Sequence, residues 1–225
     1  MSISEAHLKR LSAFLALFFA AWTLRVLLIP WTDMAAESPA TARMIADAWR
    51  VALWLVLPVL WCVAVEKIEP RAAIDQRPGS KSWLAWGVAA AYLAASRAVA
   101  IWGGENWHAL PLDEMGPSFF AAIVGLAFVA VVEVFVFFGL VLKALRARFA
   151  FWIANAMAAA LFAAIQVPGW LAFIELDVAT LATLLGQVFL FGLLLGWTVR
   201  LSGGALAAIA LHFFNNALAG HGFVA

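Results

Sequence analysis

Glu133, Gln166, His212 and Asn216 each stand inside an apolar run long enough to cross a bilayer. An ionisable side chain at that depth costs roughly 3 kcal/mol unless a partner or trapped water compensates it, so such residues mark sites before they mark packing. A carboxylate beside an imidazole can hold and deprotonate water, and an amide nearby can donate to an oxyanion or orient the imidazole. His212 and Asn216 are four residues apart and therefore share one face of a helix. Together these groups fit hydrolysis without a covalent intermediate. The same residues could instead close a hydrogen-bond network that joins two helices. Spacing alone does not separate the two.

The elements that must position these groups are transmembrane helices. Apolar residues make up 66% of the 225, charged residues 12%, and the mean hydropathy is +0.99; an ordinary soluble domain is about half apolar and a quarter charged. The chain reads as an all-α, polytopic bundle forming a single domain over residues 1–225. Seven runs reach spanning length: 11–30, 44–65, 83–102, 119–142, 149–167, 179–199 and 205–224. Between them lie loops punctuated by proline and glycine, such as 66–82 and 103–117. The first run lacks a convincing cleavage pattern and is expected to be retained. Cys62 has no partner in the chain, so an internal disulfide is excluded. The net charge of +1 argues neither for nor against an acidic partner, because what counts is where the basic residues fall, and nucleic acid is not an expected partner.

Charge placement orients the bundle. Lys9, Arg10, Lys67, Arg71, Arg77, Lys81, Lys143, Arg146, Arg148 and Arg200 fall in alternate connections, and the others offer only Arg43. Because Lys and Arg are retained on the cytoplasmic side, the amino terminus is expected in the cytoplasm and the carboxyl terminus outside. Compact loops and the lack of an organellar presequence point to a multi-pass protein of the bacterial inner membrane. Glu133 then lies ~15 Å from the level of Lys143, and His212 ~14 Å from that of Gly203, at 1.5 Å per residue. Acid and imidazole share a level. Gln166 is higher by this count unless Pro168 and Gly169 end its helix early.

Other polar and small residues have structural readings. Arg25, Arg50 and Arg97 can snorkel or pair with Asp47, Glu105, Asp113 or Glu114, or converge into an anion site. Gly192 and Gly196 form a small-x-x-x-small face suited to close helix packing, with homodimerisation the sharper alternative. His7, His108 and His221 fall at expected surfaces. A retinal protein needs a lysine inside the bundle, and none is placed there. A zinc site would need a second helical histidine or another strong ligand beside His212. No cofactor and no metal are expected.

The second half of the chain resembles the CPBP family, the CAAX-protease and bacteriocin-processing proteins also called Abi. The family's Glu-Glu-x-x-x-Arg motif followed by Gly is matched by Glu133 to Gly139. Its Phe-x-x-x-His is matched by Phe162 to Gln166, and its His-x-x-x-Asn by His212 to Asn216. The likeness covers about residues 119–218, including the Arg-x-Arg-Phe-x-Phe-Trp run that ends at Trp152 and the glycine-rich stretch from Phe191 to Ala208. The resemblance implies an intramembrane protease in which Glu133 is the general base, with His212 and Asn216 keeping the family's roles. Three positions depart from the pattern: Val134 for the second Glu, Phe138 for the Arg, and Gln166 for the second-motif His. Val134 and Phe138 replace an i, i+4 charged pair together, an exchange that is often neutral where losing one partner would cost about 3 to 5 kcal/mol. Gln166 keeps hydrogen-bonding capacity but cannot carry protons near neutral pH. The expectation is a pseudoprotease of weakened or lost catalysis that binds or helps assemble a membrane protein or membrane peptide, in contact with lipid. The alternative is an active endopeptidase for a membrane-associated or CAAX-like peptide.

Overall fold

The structure, a computed structural model, describes residues 5–28, 37–67, 69, 81–102, 117–173 and 175–218. Every regular element among them is helical. Among the described residues, five stretches are long and apolar enough to cross a membrane: Lys9–Leu27, Met44–Glu66, Phe120–Arg146, Phe151–Ala172 and Val178–Ser202. The chain is a multi-pass membrane protein. It divides into two compact units, residues 1–73 with 140–193, and residues 74–139 with 194–225.

In the first unit, α1 (Glu5–Leu28) packs on the stretch that follows α2 (Pro39–Val51). That stretch is π-helical at Ala52–Val56, α-helical at Leu57–Leu60 (α3) and π-helical again at Trp61–Glu66. Pro58 explains the first widening. Its ring would collide with the carbonyl four residues back, and opening the preceding turn to an i→i+5 pattern relieves the clash without breaking the helix. Lys67, at φ 53°, ends the stretch in the left-handed region. Phe14 and Phe18 are almost fully buried and meet Trp61 and Trp54 at ring-centroid distances of 5.1 and 4.8 Å. Trp22 meets Trp54 edge-on at 5.4 Å. At one end of this hairpin Arg10 Nε lies 3.3 Å from Glu66 Oε1, so the start of α1 and the end of its neighbour share a level.

The unit resumes later in the chain, after the second unit's first helices. Those are α4 (Ser82–Trp102) and α5 (Pro117–Glu133), the latter continuing as a π-helical segment, Val134–Val141, into α6 (Leu142–Arg146). Then follow α7 (Phe151–Ala164), α8 (Val167–Phe173) and α9 (Val178–Ser202). Asp177 caps α9. Its Oδ1 accepts the Thr180 backbone N–H at 2.6 Å, and that bond, with the Thr180 hydroxyl, holds the carboxyl below the usual carboxylate range.

Close packing of α7 on α9 depends on Gly192. A methyl group added there would lie 3.0 Å from the Cβ of Ala159 and 3.1 Å from its Cα. Within one protomer this part of the small-residue face is therefore filled by α7. We expect Gly192→Ala to destabilise the protein by about 1 to 3 kcal/mol, since the obstacle is backbone that cannot rotate away. Unfolding by SDS titration in mixed micelles checks this, and an unchanged midpoint would show that the two helices do not meet there. Asn155, fully buried on α7, adds a polar tie by donating from Nδ2 to the Leu193 carbonyl at 2.9 Å.

In the second unit, α10 (Leu206–Leu218) packs against both α4 and α5. It follows α9 after a turn in which Gly203 takes φ 68°, a conformation that glycine reaches without strain. The described part of α10 is 13 residues, or ~20 Å, shorter than the ~30 Å of a hydrocarbon core. Residues 219–224 of the expected seventh run lie outside the described residues, as do Trp31, Trp107, His108, His221, Arg71, Arg77, Glu105, Asp113, Glu114 and the side chains of His7 and Arg43.

Candidate active site

Glu133 is the last residue of α5 before the helix widens, and its side chain is turned into the second unit, 8% exposed overall. The sequence predicts an ordinary α-helix through this region. Instead, the eight residues that follow are π-helical. Such i→i+5 stretches shift the angular position of every later side chain and recur at functional sites. Val134 and Phe138, four residues apart, remain near one face in this wider turn. Both are buried, at 0% and 2% exposure, so the apolar exchange fills interior space and leaves no stranded charge at either position.

His212 lies in the middle of α10 and is 3% exposed. Its Nε2 is 3.5 Å from Glu133 Oε2. The ~15 and ~14 Å depths reckoned from the sequence thus correspond to a direct approach of acid and imidazole. The separation is beyond the 2.7–3.2 Å of an ordinary N–H···O bond, so the two groups are close without a tight direct bond. Either tautomer of the ring is compatible with the pair. An acid and an imidazole so placed can share a proton, or pass it between a bound water and a leaving group.

Asn216 is half-buried one turn beyond His212 on the same face. Asn215 beside it accepts a hydrogen bond from the hydroxyl of Tyr92, on α4, at 3.3 Å. At the end of α10, Arg97 Nη1 donates to the Leu218 carbonyl at 2.7 Å. Tyr92 was not among the residues singled out by pattern. The usable signal was composition: it is the chain's one tyrosine against 12 tryptophans and 18 phenylalanines, and a phenolic hydroxyl inside a bundle needs a partner.

Gln166 belongs to the first unit. It sits in the break between α7 and α8, where Pro168 cannot supply the N–H that would carry α7 forward. Its N–H donates to the Ala163 carbonyl at 3.2 Å and its carbonyl accepts from Trp170 N–H at 3.1 Å. The preceding carbonyl, that of Ile165, accepts from Trp22 Nε1 at 3.0 Å, so a half-buried indole anchors this turn to α1.

The three arginines of the apolar runs also have contacts. Arg25 donates to the Ala46 carbonyl at 3.4 Å and lies 4.8 Å over the Trp22 ring, while Arg50 pairs with Asp47 at 3.6 Å one turn away. Arg97 caps α10.

Residues 115–218 match the family described as type II CAAX prenyl endopeptidase Rce1-like. That segment is similar to an Rce1-like domain. It holds Glu133, Gln166, His212 and Asn216, so the CPBP resemblance carried by three short motifs is the one the family match finds. The match covers just under half of the chain, and α4 with Tyr92 and Arg97 lies outside it. No curated protein and no solved structure matches the chain.

Proposed function

We propose that the Rce1-like domain serves as a pseudoprotease of the bilayer, binding a membrane-embedded peptide or protein segment to hold or assemble it while hydrolysing it slowly or not at all. The observation that carries this reading is the Glu133–His212 pair, kept at 3.5 Å in a chain whose second motif ends in Gln166. An unwound segment in hydrocarbon exposes N–H and C=O groups that each cost several kcal/mol, roughly, if unmet. Glu133, His212 and Asn216 offer acceptors and donors for them. What the set lacks is a second imidazole to move protons through the steps of peptide cleavage.

A second reading, an active endopeptidase with Glu133 as general base, is favoured by the same approach of carboxyl to imidazole. The two part in proteoliposomes carrying a fluorescent, prenylated CAAX-type reporter peptide. The pseudoprotease binds the peptide and leaves it intact by mass spectrometry. Glu133→Leu weakens that binding about tenfold, the loss of one charge-assisted hydrogen bond. Cleavage by the wild type that Glu133→Gln abolishes would establish the enzyme instead. Absence of both binding and cleavage would remove both readings.

The proposed setting is a bacterial plasma membrane crossed seven times, with the amino terminus in the cytoplasm. Basic residues on alternate connections support it. So does the Arg10–Glu66 contact, which sets the flank of the first span level with the end of the second.

A further inference from the structure

Helix α10 carries His212 and Asn216 but is short, and its neighbour α4 touches it at two polar points. Tyr92 donates to Asn215 at 3.3 Å, and Arg97 donates to the Leu218 carbonyl at 2.7 Å. The residue numbers rise together on both helices, so the two run in the same direction where they meet. Two ties three residues apart on α10 fix both its rotation and its axial position. The Arg97 bond also places a cation at the helix's carboxyl-terminal end, where the backbone dipole favours it.

Rotation is what matters for the pair. Side-chain tips lie ~5 to 6 Å from a helix axis, so a turn of about 30° carries an imidazole ~3 Å sideways. That displacement is comparable to the whole Glu133–His212 separation of 3.5 Å. Asn215 is three residues beyond His212 and hence nearly above it on the same side of the helix. A bond that holds Asn215 therefore holds His212.

We infer that Tyr92, on a helix outside the Rce1-like segment, is a positioning residue: its hydrogen bond to Asn215 sets the rotation of α10 and so the alignment of His212 with Glu133 and the aim of Asn216. The inference deepens the reading of Glu133, His212 and Asn216 as one site. The hydroxyl acts through Asn215 and does not itself need to reach a bound peptide.

The test reads the imidazole directly. The full-length protein, labelled with 15N-histidine and held in nanodiscs, contains four histidines. His212 is assigned by the resonance lost in His212→Gln. Glu133→Gln is the reference change, and it should displace the His212 signals. Tyr92→Phe, which removes one oxygen atom and keeps the ring, should displace the His212 signals while those of His7, His108 and His221 stay in place. Asn215→Ala should displace them in the same sense, and the double variant should move them no further than either single change. A Tyr92→Phe spectrum with His212 unmoved overturns the inference. So do additive shifts in the double variant, which would show that tyrosine and asparagine act separately. A His212 signal indifferent to Glu133→Gln would overturn it as well, since no aligned pair would exist to be positioned. None of these readings uses a peptide or a cleavage assay. Failure of the pseudoprotease proposal in liposomes thus leaves the result here intact, and the reverse also holds.

Discussion

Gln166→His is expected to raise hydrolysis of a prenylated reporter peptide at least about 10²-fold over the wild type, because a positioned acid or base is worth about 10² to 10⁴ in rate. The argument rests on motif order: position 166 follows Phe162 by four residues and precedes Pro168, where the resembling family carries its second histidine. Like a neutral imidazole, an amide there can accept and donate hydrogen bonds. It has no protonation step near neutral pH, and any step that needs one must fall to water or to His212. Restoring the ring should leave peptide binding within a few-fold and raise turnover, which separates chemistry from affinity. Turnover that stays at background in Gln166→His, with binding retained, would show that the side chain at 166 is not the missing proton carrier. Glu133→Gln in the Gln166→His background should return turnover to background if Glu133 is the general base.

The features legible in the sequence are those that follow from water avoidance and from residues that cannot be buried cheaply. Lys9–Leu27, Met44–Glu66 and Val178–Ser202 lie close to the runs found by hydropathy, because any lipid-facing segment must be apolar over its full length. Glu133 and His212 stood out for the opposite reason, and counting 1.5 Å per residue from two loop levels was enough to bring them together. The interruption at Gln166 was half visible: Pro168 forbids a continuous helix, but only the structure shows α7 stopping at Ala164 with Trp22 bonded to the Ile165 carbonyl. The π-helical segment after Glu133 left no mark that periodicity could read. Val134, Phe135, Val136, Phe137 and Phe138 are all apolar and all buried, so no polar residue records which face is which. Tyr92 escaped for a related reason. An isolated hydroxyl in an apolar run has no spacing to test, and its meaning lies in Asn215, 123 positions away.

His212→Leu is expected to destabilise the protein by about 3 to 5 kcal/mol, whereas the double variant Glu133→Leu/His212→Leu should stay near the wild type or exceed it. The contrast follows from what each change leaves behind. Glu133 is 8% exposed, so removing the imidazole takes a charged or hydrogen-bonding partner from a buried carboxyl. Removing both leaves two leucines on helix stretches whose residues Ala130, Val132 and Leu211 are themselves buried. SDS unfolding of the four members of the cycle gives the coupling between the two residues. A large coupling with an unaltered or raised stability in the double variant means that folding does not require the pair. The burial of an acid beside an imidazole would then be maintained for what it does to a bound segment. If instead the double variant is the least stable of the four, the pair is structural glue between α5 and α10, and the site loses the observation that supports its role in binding.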